Sequence, residues 1–221
     1  MTEKKDKIID QNDLRIGIVA CEVLKNEIEH LTKDDPCFVH REYLKFALHE
    51  DSKKMKNTLI EKVNALKGEV DAVFLGYAVC QSLQNVTDIL NVPTVMLPGA
   101  DCIDALLGQE EYTAEKKKCI GTWFSSPGWA EQGIDGLIEQ FHLDSAEGYE
   151  PQYFLDMMFE SYERCLFLDP GIGNDEFYVK RSQEFADTLG LRLDCRPCSL
   201  SRIEERILQV KKLAADKRGT R

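Results

Sequence analysis

The chain has 221 residues, 43% of them apolar and 30% charged, with a formal charge of −11. That length and composition suit one large globular domain, or two small lobes, with a buried core. The negative charge opposes nucleic acid and anionic membrane surfaces as partners, and no apolar run reaches the roughly 20 residues that span a bilayer.

Residues 1–13 form a polar N-terminal segment that does not resemble a signal peptide, so the expected location is the cytoplasm. The reducing pool there keeps the eight cysteines as thiols. Leu14 to Ala20, with Cys21 directly after it, reads as a strand buried on both faces, the parallel-sheet kind. Leu24, Ile28 and Leu31 then mark an amphipathic helix. Cys37 to Val39 reads as a short strand, and Glu42 to Leu48 fits neither period. Asp51 or Ser52 caps a helix striped by Met55, Leu59, Val63 and Leu66 and ended by Gly68.

Val70 to Leu75 and Val92 to Leu97 are further strands. The first closes with Gly76, Tyr77 and Cys80, and the second with Pro98 to Cys102. Cys102 to Leu107 predicts a helix stopped by Gly108. Lys118 to Phe124 reads as a strand and Gly133 to Phe141 as a helix. Tyr153 to Tyr162 predicts a helix with Phe154, Met157, Met158 and Tyr162 on one side. Cys165 to Leu168 is a buried strand, Tyr178, Phe185 and Leu189 stripe a helix, and Leu191 to Cys195 is the last strand. Ser201 and Glu204 make a capping box for a final helix through Leu208. Residues 209–221 read as a basic, frayed tail. The expected fold is α/β over residues 14–208, a mainly parallel sheet with helices on both faces. The polar stretch 145–152 is its one candidate division.

Ligands of open α/β sheets bind beyond the carboxyl ends of the strands. Cys21, Cys80 and Cys102 fall there in three separate βα units, and His49 stands where it could join them. Three thiolates and an imidazole suit zinc. Four protein ligands would close the site, whereas three would leave a position for substrate. An iron–sulfur cluster on the same thiolates ranks behind zinc. The rival reading is that each cysteine fills a tight corner of the core. Asp101 and Asp169 stand at the same edge, either to orient a ligand or to cap a helix. Cys195 and Cys198 form a C-x-x-C after a strand, the basis of an alternative reading as a thiol redox protein. Gly171-Ile172-Gly173 could cradle a phosphate, but Glu176 breaks the dinucleotide fingerprint.

Cys21, Leu48-His49 before a helix, Gly76-Tyr77…Cys80, Pro98-Gly-x-Asp-Cys-Ile103 and Gly121-Thr-Trp-Phe…Gly-Trp129 occur here in an order that resembles the DUF1638 family of bacterial and archaeal proteins. Glu22 follows Cys21 where many relatives carry glycine. The resemblance implies a link to corrinoid-dependent methyl transfer in anaerobes, with Cys21, Cys80, Cys102 and His49 as the motif residues. It implies a methyltransferase or its accessory, with a corrinoid protein or methyltransferase as partner and a corrinoid bound directly or through that partner. Tyr77, Trp123 and Trp129 join Asp101 and Asp169 as pocket candidates, the two indoles as a lid for a flat ligand.

Overall fold

The computed structural model describes residues 13–46, 51–79, 83–145 and 147–219. Every residue of β1 (Ile16–Cys21) is buried, as an unbroken apolar run requires when both faces of a sheet are covered. A short 3-10 turn, Glu22–Leu24, leads into α1 (Lys25–Thr32). β2 (Phe38–Leu44) runs further than Cys37 to Val39 and takes in part of the ambiguous stretch. It lies at the edge of its sheet, where Arg41 and Glu42 keep contact with solvent and interrupt the apolar pattern. α2 (Ser52–Ala65) is capped by Asp51, whose carboxylate accepts from the Lys53 and Lys54 N–H groups at 3.0 and 2.9 Å. β3 (Ala72–Gly76) and β4 (Thr94–Met96) complete a parallel sheet of order β2-β1-β3-β4.

α3 (Cys102–Leu107) and α4 (Gln109–Lys118) follow, and then β5 (Thr122–Ser125), α5 (Pro127–Gln140) and α6 (Pro151–Phe159). β6 (Arg164–Asp169), α7 (Asp175–Thr188), β7 (Arg192–Pro197) and α8 (Ser201–Gly219) end the chain. A second parallel sheet has the order β5-β6-β7. The fold is α/β as expected, but its strands divide into two sheets. The change of sheet falls between β4 and β5, whereas 145–152 only connects α5 to α6 within the second half.

Alternation along the first sheet sorts its side chains between two layers. Val19, Val73 and Leu75 pack against Met55, Leu59 and Val63 of α2. Ile16, Ile18, Ala72 and Phe74 face Ile203, Ile207, Val210 and Ala214 of α8, in a cluster that also holds Leu166 and Leu168 of β6. One core therefore runs continuously from the first sheet to the second.

Residues 209–219 are not the frayed tail that their basic composition suggests. Val210 and Ala214 are fully buried. Lys211 pairs with Asp35, and Arg218 Nε donates to Asp71 Oδ2 at 2.8 Å. The charges belong to the sides of a helix whose apolar stripe continues past Leu208.

α4 has no apolar stripe, and its sequence did not predict it. It carries Glu115 inward to Arg164, whose Nη1 donates to Glu115 Oε2 at 3.1 Å and whose Nε donates to Thr122 Oγ1 at 3.1 Å. Arg196 reaches the other carboxylate oxygen at 2.7 Å, and Lys118 reaches it at 2.6 Å. Burial opposes the charge on Glu115, but Lys118 and Arg164 outweigh it and hold the carboxyl below its usual range.

Truncating Val210 to Ala should cost about 2 kcal/mol of unfolding free energy, as for other buried large-to-small changes. Urea denaturation measures this; an unchanged midpoint would mean that the segment contributes nothing to the core.

Candidate functional site

β1 delivers Cys21 to the carboxyl edge of the first sheet, where its side chain is 4% exposed. Cys102 arrives at the same edge as the first residue of α3. Asp101 fixes that helix start, because its Oδ1 accepts from the N–H groups of Ile103 and Asp104 at 3.0 and 2.9 Å. Its Oδ2 accepts from the Tyr112 hydroxyl at 2.8 Å. Asp101 thus serves as a helix cap, the second of the two roles its position allowed. The two cysteines line one cavity of about 340 Å³ together with Tyr77 and Asp101 from the first half and Trp123 and Trp129 from the second.

α5 closes this cavity. Gly128 lies so near the turn after β1 that a Cβ there would stand 2.1 Å from the Val23 carbonyl oxygen, so only glycine permits the approach. The next residue, Trp129, lines the cavity with Cys102 and favours its thiolate. Its ring meets Phe46 edge-on at 5.4 Å and Trp123 at 5.3 Å. Trp123 also stacks on Phe185 at 5.5 Å and meets Phe159 at 5.4 Å. Trp123 is therefore a wall belonging to the second core, and Trp129 is the roof above the thiol. Glu22, the residue after Cys21, accepts from the Phe46 N–H at 2.9 Å and so ties the corner after β1 to the end of β2.

Burial, then the neighbouring Cys21, then Asp101 push the Cys102 thiol far above the usual range. Two adjacent thiols in an apolar cavity cannot both ionise in water's absence unless a cation compensates them. Thiols are soft donors, of the kind that zinc and similar metals take. His49 and Cys80 lie outside the described residues; Phe46 and Ala78, which come shortly before them in the chain, line the cavity. Among the described residues no group of three His, Cys, Asp or Glu side chains could hold a metal ion.

The remaining sequence candidates sit elsewhere. Asp169 ends β6 in the second sheet, accepts from the Gly171 N–H at 2.8 Å, and is not a cavity residue. Gly171 and Gly173 have φ of 65° and 88° and serve the turn into α7. That helix carries Asp175 and Glu176 in its first turn, and these carboxylates oppose a phosphate there. Cys195 lies within β7 and is exposed, while Cys198 lies before the start of α8. Burial, then Glu27 and Asp169, push the Cys198 thiol up to about 12, and burial with Asp169 and Asp194 raises Cys195. A redox thiol needs the opposite shift.

Sequence reasoning passed over Glu27. It lies on α1, fully buried, and neither carboxylate oxygen has a hydrogen-bond partner among the described residues. Burial pushes its pKa up to about 8, and Glu131 of α5 adds to the shift. The signal available was its spacing of four from Val23 and from Leu31, which sets a glutamate on an apolar helix stripe.

A family model described as "Protein of unknown function (DUF1638)" matches residues 43–207. The chain belongs to the DUF1638 family. The matched segment contains His49, Cys80, Cys102, Trp123 and Trp129, while β1 and Cys21 precede it. No curated protein and no solved structure matches the chain. The family description assigns no activity, so any function for this DUF1638 chain has to be argued from the cavity. Among the described residues no helix is long and apolar enough to cross a membrane.

Glu27 makes stability depend on pH in a defined window. Between its unfolded value of 4.5 and its folded value of about 8, the folded chain keeps a proton that the unfolded chain has lost. Stability therefore falls as pH rises through that window, by on the order of a few kcal/mol in total. Glu27→Gln should remove this slope. Denaturant midpoints of both proteins at pH 5, 6.5 and 8 should diverge steadily; parallel curves would show that Glu27 is not held protonated.

Proposed function

We propose that Cys21, Cys80 and Cys102 bind zinc in the cavity under Trp129, with His49 as fourth ligand or neighbour, and that the protein acts in or assists corrinoid-linked methyl transfer. The observation that carries the metal reading is the pairing of Cys21 and Cys102 in one apolar cavity. Cys21 raises the pKa of the Cys102 thiol, and a shared cation would favour both thiolates. The link to corrinoid chemistry rests on the family resemblance alone.

With a coordination position open, a zinc held by these cysteines would supply Lewis acidity, lowering the pKa of a substrate thiol in readiness for methyl transfer. The residues of this chain supply the surroundings. Trp129, which lines the cavity with Cys102, favours the thiolate. Phe46, Trp123 and Tyr77 exclude water from the cavity walls. Asp101 holds the first turn of α3, and so Cys102, in place. With four protein ligands the same site would be structural, and the protein would serve as an accessory to a methyltransferase or corrinoid protein.

Protein purified without oxygen should contain about one equivalent of zinc, lost in Cys21→Ser, Cys80→Ser and Cys102→Ser. Emission from the tryptophans should change on chelation and recover on adding zinc, because Trp129 touches Cys102. A brown chromophore would replace zinc with an iron–sulfur centre. Metal-free wild-type protein that takes up no zinc would sink the proposal and leave the cysteines as core packing.

A further inference from the structure

We propose that the outward face of α6 is a docking site for a basic amphipathic helix of a partner protein. A helix lying on a core needs one apolar stripe, and α6 has two. Leu155 and Phe159 are buried against the second sheet's core. Tyr153 and Met157 point away from it, 51% and 61% exposed. Tyr149, just before the helix and 58% exposed, extends the patch by setting its ring 5.1 Å from that of Tyr153, and both rings also meet Phe154. Met158 and Tyr162 flank it, also exposed. Of Phe154, Met157, Met158 and Tyr162, which the sequence sets on one side of the helix, Phe154 packs against the second sheet's core. Scattered exposed apolar residues are ordinary, but a continuous aromatic and methionine stripe marks an interaction surface.

The charge around the stripe selects the occupant. Between Lys118 and Arg164 the chain carries nine Asp and Glu residues and no Lys or Arg. Asp144, Glu147, Glu150, Asp156 and Glu160 are all exposed on or beside α6. A second copy would bring the same carboxylates face to face, and an anionic lipid surface would be repelled in the same way. A helix with an apolar face edged by Lys and Arg meets both features. Its apolar anchors lie on Tyr153 and Met157, its cations meet the carboxylates, and the tyrosine rings accept an Arg by cation–π contact. The methionine adapts its shape to such a helix. This surface stands apart from the cysteine cavity, so it holds whether or not the cavity binds metal.

The test is calorimetric titration of the full chain at physiological salt with two synthetic peptides of equal charge. One is a Leu/Lys helix with leucine on one face, and the other is a Lys/Ser peptide with no apolar face. The Leu/Lys peptide should bind and the Lys/Ser peptide should bind at least about tenfold more weakly. The double variant Tyr153→Ser/Met157→Ser keeps every charge and loses only exposed side chains, and it should weaken binding by about tenfold or more. Asp156→Asn/Glu160→Gln should also weaken it, whereas Glu204→Gln/Glu205→Gln on α8 should leave it unchanged. Equal binding of both peptides, unchanged binding in the Tyr153/Met157 variant, or no binding by wild type would overturn the proposal. A dimer of wild type that the Tyr153/Met157 variant abolishes would assign the face to a second copy instead and overturn it equally.

Discussion

The distance between α5 and the end of β1 governs the cavity, and the missing side chain of Gly128 sets it. Backbone meets backbone there, with Val23 on one side and the first turn of α5 on the other. Trp129 and Glu131 both precede the break in α5 at Gly133, so this one approach brings Trp129 to Cys102 and Glu131 towards Glu27. A methyl group at Gly128 would have to push the helix outward, and the indole would leave the sulfur. The cavity is thus a product of the two halves of the chain together, since neither half supplies both the thiols and the roof.

A second constraint holds the halves in register. The cluster that contains Ile18 and Phe74 of the first sheet also contains Leu166 and Leu168 of the second, and α8 covers the first sheet after the chain has completed the second. At the other end of β6, the buried Arg164 is satisfied by Glu115 of α4 and Thr122 of β5. A buried guanidinium tolerates no loose geometry, because removing one partner leaves a charge uncompensated. Apolar packing joins the sheets, and an ionic cluster fixes how α4 meets β6 and β7.

Much of this was readable in the sequence because parallel strands are nearly continuous apolar runs and their helices carry plain stripes. β1, β3, β6, α2 and α3 follow from such runs, from Asp51 and from Gly108. Other elements escaped for definite reasons. β2 is an edge strand, so charge breaks its pattern. α4 has no apolar stripe, since Tyr112 is the residue it packs against the core and the burial of Glu115 depends on an arginine far along the chain. The basic residues of α8 suggested fraying because the eye weighs composition over spacing, while Val210 and Ala214 keep the helical period. At the site, the convergence of Cys21 and Cys102 followed from topology, and so did the presence of Asp101. Glu27 and the role of Trp129 did not, since both depend on how α5 crosses α1, and sequence periodicity holds no crossing angle. Asp169 failed as a cavity residue because it belongs to a second sheet that a single-sheet expectation could not separate.

The placement of α8 has a further meaning for how the chain reaches this state. Ile16, Ile18, Ala72 and Phe74 precede the second sheet in the chain, yet Val210 and Ala214, which share their cluster, follow it. Before α8 is made, that face of the first sheet has Leu24, Ile28 of α1 and the apolar residues of α3 to pack on it, but not the α8 stripe. Part of the face therefore stays uncovered while the second sheet is made, and closing it requires contacts between distant parts of the chain. Such long-range closure is slow, and the face is open to aggregation while it waits.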